Sequence, residues 1–374
     1  MLGTRGLPAT HGGVERAVEE LSVRLVALGC DVTVYCRPGY CASREESYRG
    51  VRLRYLPAMP GKHFEAASHS FMAACSAARG RYDVVHVHSI GPALFSFIPR
   101  LAGKKVVVTV HALDWKRRKW GKLARIALKA GAWAAARLPH ATITVSRRAQ
   151  RYFEETYGER PAYIPNGVTL APASGATPAT ADRQLLFLGR LVPEKRVDDL
   201  IAAFRSVPGR RTLVIAGGGT FSDRYVGELR RLAEGDGRIR FAGEVYGQQK
   251  EALFAESAAL INPSDLEGHP IVVLEALSRG LPVLLSDIEE HREILEAEGA
   301  PAATGLLFRT GDREDLRRGI EQLDALGLDA ASRGMRREFS RTAFDWDNIA
   351  ACTLSIYAGL MAGAPLDTQE SAVC

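Results

Sequence analysis

Hydrophobic bursts of five to seven residues, rich in Val and Ile, alternate along the chain with longer amphipathic stretches, the pattern of βα units around a parallel sheet. The bursts predict strands at Asp31 to Tyr35, Val51 to Tyr55, Val84 to Val87, Lys105 to Val110 and Ala141 to Val145. A second series is expected at Leu185 to Leu188, Thr212 to Ile215, Ile239 to Phe241, Ala258 to Ile261 and Val283 to Leu285. Two doubly wound α/β halves account for this better than one giant sheet. Val14, Val18, Leu21, Leu25 and Leu28 fall at alternating steps of four and three, so a helix is expected there, stopped by Gly29. Trp346, Ile349, Thr353, Ile356 and Leu360 mark a helix near the C-terminus.

Between the halves, residues 170–181 form a small-residue, Pro-containing stretch without charge or periodicity, which reads as a linker or exposed loop. The expected organisation is therefore a first domain over 1–168, a second over 169–344, a helix over 345–362 and a tail over 363–374. One strand is missing from this scheme. Only Met1 and Leu2 precede the glycine-rich segment Gly3 to Gly13, where a doubly wound domain normally has a full strand. Either the sheet is shortened or the sequence starts inside a longer chain.

With 374 residues, 46% hydrophobic and 25% charged, the chain has ordinary globular composition, which excludes a disordered, collagenous or disulfide-stapled small protein. Six scattered cysteines lack a C-x-x-C pair, and reduced thiols are expected. No apolar run approaches the length of a membrane span, and the start lacks a signal peptide's apolar stretch, which predicts a cytoplasmic protein. The net charge of +6 divides unevenly: +14 through Val168 and −8 after it. The first half is thus expected to meet something anionic.

The richest chemistry lies in the segment from Asn262 to Asp287. It holds two carboxylates eight positions apart, Glu267 in a Pro/Gly-rich loop and Glu275 on the second turn of a helix expected to begin near Pro270. The N–H groups of Ile271 and Val272, at that helix start, would face a phosphate, and Glu275 could accept hydrogen bonds from ribose hydroxyls. Taken alone, Glu275 could equally be an ordinary exposed helix glutamate.

The segment resembles the E-x7-E signature of retaining nucleotide-sugar glycosyltransferases of the group 1 type. Supporting stretches run in order along the chain: "GTRGLPATHGGVERAVEEL", "VTVHALDW", "YIPNGV", "FLGRLVPEKRVDDLIAAF" and "FDWDNIAACTLSIY". The opening and "LDWKRRKWGKLARIAL" are similar in particular to bacterial rhamnosyltransferase-like enzymes. The resemblance implies a GT-B architecture, two Rossmann-like doubly wound domains facing a cleft, with the C-terminal helix returning to the first domain. It implies that Arg190 and Lys195 clamp the donor diphosphate, that Glu275 binds the ribose, and that Glu267 and His111 contact the transferred sugar as the catalytic groups. Gly12, Gly13 and Gly268 would admit the donor, and Val245 would lie near the base. No metal or other cofactor is implied, the leaving phosphate itself taking the acceptor proton.

The excess positive charge concentrates between Lys116 and Lys129. Arg118, Lys122, Arg125 and Lys129 share one helix face beside Leu123, Ile126, Ala130 and Trp133. Such a helix suits an anionic membrane interface, and Lys116 extends the basic cluster; the alternative is a domain helix whose apolar side is core. The expected partners are a nucleotide-sugar donor, a glycan or polyprenyl-diphosphate-linked acceptor, and a peripheral membrane surface. Two other readings are weighed. A nucleotide-sugar 2-epimerase would share the architecture, but Arg190, Lys195 and E-x7-E fit transfer better. A nucleic-acid-binding protein would account for the basic half, but no recognition module is visible. His86 and His88 alternate along one strand and could hold a metal, yet no third ligand is apparent.

Overall fold

A computed structural model describes residues 1–10, 12–40, 44–59, 61, 64–117, 120–170, 184–219 and 223–363. The stretch read as a linker therefore lies almost wholly outside the described residues, as do the tail beyond Gly363 and the basic pair Arg118 and Lys119. The chain divides into an N-terminal unit, Met1–Gly167 with Trp346–Cys374, and a C-terminal unit, Val168–Asp345.

In the N-terminal unit, β1 (Thr33–Cys36), β2 (Ser47–Tyr48) and β3 (Val51–Tyr55) form one small sheet. A parallel sheet follows from β4 (Val84–His88), β5 (Lys105–Val110), β6 (Ala141–Thr144) and β7 (Ala162–Tyr163). The two are joined by the residues that looked too few to make a strand. Tyr35 N–H donates to Met1 C=O at 3.0 Å on one side; on the other, Leu2 N–H donates to His86 C=O at 3.0 Å and His88 N–H to Leu2 C=O at 2.9 Å. Met1 and Leu2 thus serve as a strand of minimal length, with Leu2 fully buried. Gly3 then turns away at φ 101°, and a Cβ there would come within 2.3 Å of the His88 carbonyl oxygen, so only glycine fits.

The C-terminal unit is built on β8 (Gln184–Leu188), β9 (Thr212–Ala216), β10 (Ile239–Gly243), β11 (Ala259–Asn262), β12 (Val283–Ser286) and β13 (Gly305–Phe308). All pair in parallel in the order β10-β9-β8-β11-β12-β13, the doubly wound order in which winding reverses between the first and fourth strands. Both faces are covered. Leu185 and Phe187 enter one core with Leu213 and Ile215, while Leu186 enters the opposite core with Val214 and Leu260. Burial on both faces is why these strands read as unbroken apolar runs rather than alternating ones.

The first helix, Gly13–Ala27, and the C-terminal helix, Trp346–Ala362, pack against each other within the N-terminal unit. Trp346, Ile349, Thr353, Ile356 and Leu360 are all buried, as their spacing predicts. The helix Lys122–Arg137 behaves differently. Its buried face is made of Gly131, Ala132, Ala134 and Ala135, and a Cβ on Gly131 would lie 2.2 Å from the Ile90 carbonyl oxygen, so small residues allow a close backbone approach. Its large apolar residues face outward: Leu123 is 83% exposed, Ile126 64% and Trp133 52%. The alternative in which these residues are core does not hold. Cys30, Cys36 and Cys75 are free thiols, but Cys352 is disulfide-bonded, which overturns the expectation of reduced thiols throughout. Among the described residues, no helix is long and apolar enough to cross a membrane.

Candidate functional site

The reversal of winding between β8 and β11 brings together loops that are far apart in sequence. The chain leaves β8 at Gly189 and Arg190 and makes a short turn at Pro193–Lys195; it leaves β11 at Asn262 and reaches Glu267. In open α/β sheets the carboxyl ends at such a point form a crevice. Here the Lys195 ammonium pairs with the Glu267 carboxylate, whose same oxygen accepts from the Asn262 amide at 3.0 Å. The two loops are also tied through their backbones, Asp265 N–H donating to Glu194 C=O at 2.9 Å. Burial by itself would raise the pKa of Glu267; Lys195, with help from His291 and the Asn262 hydrogen bond, outweighs it and holds the group at about 2. Glu267 is therefore fully ionised at neutral pH.

Gly217, which follows β9, is held against the same turn. Its φ is 145°, and a Cβ there would overlap the Gly189 carbonyl at 1.7 Å, so the first residue of Gly217-Gly218-Gly219 is required for close approach of two loops. Arg190 lies half-buried in the β8 loop. Gly268 stands three positions before the helix Ile271–Leu277, whose first two residues are Ile271 and Val272 and whose second turn carries Glu275. Their N–H groups fall in the first turn, where no intrahelical acceptor exists. Glu275 has its own cation, the Lys250 ammonium at 2.5 Å. Lys250 was missed at the sequence level because it stands 25 residues upstream on another helix, Gly247–Ala255, with no motif around it. Val245 lies in the loop just before that helix. The two carboxylates of the E-x7-E segment are thus each matched to a different lysine.

The N-terminal unit carries a second polar cluster. His111 follows β5, and its Nε2 lies 3.2 Å from Nδ1 of His88, the last residue of β4. His86 stacks on His88 with ring centroids 4.1 Å apart. Both nitrogens of His86 are engaged, Nδ1 with the Tyr357 hydroxyl at 2.5 Å and Nε2 with the Thr109 hydroxyl at 2.7 Å. Desolvation drives all three imidazoles toward the neutral form, His111 to a pKa of about 4 and the other two well below the ordinary value. His88, Thr109, His111 and Asn166 line a cavity of about 30 Å³ with Ile143, Val145 and Ile164. Among the described residues no set of three His, Cys, Asp or Glu side chains could hold a metal ion. The His86 and His88 pair instead belongs to a hydrogen-bonded stack.

Gly12 caps the first helix with φ 90°, and Gly13 begins it. Lys116 ends a single 3₁₀ turn, Asp114–Lys116. Lys122, Arg125 and Lys129 are exposed on the helix Lys122–Arg137 beside Leu123, Ile126 and Trp133. The fifth basic residue of the sequence reading, Arg118, is outside the described residues.

Comparison with known proteins agrees with this architecture. Glycogen synthase of Mycobacterium tuberculosis is 29% identical over 406 residues, covering 95% of this chain and 93% of the relative. Phosphatidyl-myo-inositol mannosyltransferase of Mycolicibacterium smegmatis is 27% identical over 387 residues, covering 96% and 93%. The crystal structure of Anabaena HepE in complex with UDP-glucose superimposes with a TM-score of 0.75 at 16% identity, covering 95% of this chain and 97% of that one. Residues 11–171 match the family Glycosyltransferase Family 4, and residues 176–343 match Glycosyl transferases group 1. With both patterns in order along the chain and a parallel α/β sheet in each unit, this protein is a GT-B-fold glycosyltransferase of group 1.

Proposed function

We propose that the protein transfers a sugar, with retention of anomeric configuration and without a metal, from a nucleotide diphosphate donor to a glycan or polyprenyl-diphosphate-linked acceptor in surface polysaccharide assembly. The observation that carries this reading is the Lys195, Glu267 and Asn262 cluster at the winding reversal of the C-terminal unit. Arg190 and Lys195 supply fixed positive charge where a leaving diphosphate gains negative charge, the kind of preorganised electrostatic stabilisation that needs no metal. Glu267, kept ionised, orients sugar hydroxyls and stabilises oxocarbenium character. Glu275, held by Lys250, takes the ribose, and the N–H groups of Ile271 and Val272, with Gly268, receive phosphate oxygens; Val245 lies toward the base. HepE, of the same fold, was crystallised with UDP-glucose.

In the N-terminal unit, His111 contacts the transferred sugar, and Gly12 and Gly13 leave room for the donor. The helix Lys122–Arg137 binds an anionic membrane surface from the cytoplasmic side, with Lys116 and Arg118 adding to its charge. Support comes from the exposure of Leu123, Ile126 and Trp133 beside Lys122, Arg125 and Lys129, and from the mannosyltransferase relative, whose name carries phosphatidyl-myo-inositol. The resemblance of the opening segment favours rhamnosyl transfer among the hexosyl and deoxyhexosyl options.

Binding of a nucleoside diphosphate to the native state raises its melting temperature. A rise with uridine, thymidine or guanosine diphosphate in the presence of a chelator is expected; no rise with any of them, or one that appears only with Mg²⁺, overturns the donor-site assignment. A donor panel with a polyprenyl-diphosphate-sugar acceptor, read by product mass spectrometry, then identifies the sugar and the linkage.

A further inference from the structure

The His88 and His111 contact has a defined direction. A neutral imidazole carries one proton, so in each ring one nitrogen donates and the other accepts. His88 is 1% exposed, its Nδ1 faces His111 Nε2 at 3.2 Å, and its Nε2 is buried without a hydrogen-bond partner among the described residues. A buried N–H without an acceptor is rarer and costlier than a bare acceptor nitrogen. The proton of His88 therefore belongs on Nδ1, where it is donated to His111 Nε2. That leaves the single proton of His111 on Nδ1. The rest of the stack prevents His88 from turning: His86 lies against it, tilted by 31° with ring centroids 4.1 Å apart, and is itself pinned at both nitrogens, by Tyr357 from the C-terminal helix and by Thr109 from β5. The β4 and β5 register, His88 opposite Thr109, sets the spacing.

We propose that His88 is a positioning residue that fixes His111 as the Nδ1–H tautomer, so that His111 presents a neutral N–H donor to a hydroxyl oxygen of the transferred sugar. The assignment of the sugar contact rests on the function proposed above; the tautomer does not. A donor held in one tautomer before substrate arrives requires no ring flip on binding. Burial also keeps the His111 ring uncharged across the neutral range, against the opposing pull of Asp114.

The wild-type protein tests the tautomer directly. With ¹⁵N-labelled histidine and the His111 signals assigned by their loss in His111→Asn, Nδ1 of His111 is expected to be protonated and Nε2 bare. A protonated Nε2 overturns the proposal. Replacement His88→Leu removes the donor, and the His111 signals should move to the Nε2–H form or to a mixture, with kcat/KM falling about 3- to 10-fold, the worth of one neutral hydrogen bond. The amide nitrogen of an asparagine reaches about as far as imidazole Nδ1, so His88→Asn should restore both the tautomer and the rate. Equal impairment of the Asn and Leu variants, with the His111 tautomer unchanged in both, also overturns the proposal. Undiminished transfer by His111→Ala would instead remove the sugar contact, leaving the tautomer to be judged by the spectrum of the wild type.

Discussion

The C-terminal unit puts full charges at the carboxyl ends of its strands: Lys195 against Glu267, and Lys250 against Glu275 close by. Toward the corresponding ends of its own strands the N-terminal unit puts three neutral imidazoles and hydroxyls, with the exposed cations Lys122, Arg125 and Lys129 apart from them on the helix Lys122–Arg137. Lys122, Arg125 and Lys129 have no acidic partner among the described residues. Similar strand ends are thus built for different work. Paired charges remain ionised when buried and can be shared with an incoming diphosphate, whereas neutral rings tolerate complete burial and discriminate by direction of donation. The opposite net charges of the two halves arise from this division only in part, since most of the basic excess lies on the surface of the first.

The contrast can be broken most severely at Glu267. Alanine there should lower kcat by about 100- to 1000-fold, as the loss of a preorganised electrostatic group does, with a nucleoside diphosphate still raising the melting temperature. Retention of transfer would reduce the charged cluster to a structural ion pair. Next in size is stability. The Glu267 pKa is depressed, so its ionised form, held by Lys195 with Asn262 and His291, contributes stability that is present above about pH 4.5 and lost as pH falls toward 2, amounting to on the order of 3 kcal/mol. Lys195→Ala should therefore unfold at lower denaturant than wild type at pH 7, the gap closing between pH 4.5 and 2. The imidazoles sit in a different window. His111 must stay neutral in the native state, so its contribution is present above about pH 6.5 and lost as pH falls toward 4. His111→Asn should flatten the pH dependence of stability in that range and leave the lower one unaltered; a change confined to the lower range would erase the distinction between the two clusters.

A smaller effect is expected at the exposed cations. At roughly 1 kcal/mol per charge near an anionic bilayer, Lys122→Ala with Arg125→Ala should weaken sedimentation with anionic vesicles about 30-fold while leaving nucleotide binding intact. Unchanged sedimentation would remove the membrane role from this helix. Smallest is Lys250. If Glu275, the proposed ribose ligand, is held partly through this partly exposed pair, Lys250→Ala should weaken nucleoside diphosphate binding about 3-fold, and Glu275→Ala more than that, by calorimetric titration.

Periodicity in the sequence was enough for the strands Val51–Tyr55 and Lys105–Val110 and for the buried face of the C-terminal helix, because burial on one or both faces writes a repeating apolar pattern into adjacent residues. The short strands Ser47–Tyr48 and Ala162–Tyr163 and the edge strand Gly305–Phe308 left too little pattern to be seen. Resemblance to the motifs of the family marked Lys195, Glu267, Glu275 and His111 as candidates. The sequence by itself determined the βα alternation, the family of the chain and those residue types. Tertiary structure alone decided that Met1 and Leu2 bridge two sheets, that Leu123, Ile126 and Trp133 face outward, that Lys250 belongs with Glu275, and that His88 meets His111. Each of these depends on which strands or helices become neighbours, and a contact between positions 23 or more residues apart leaves no local periodicity to read.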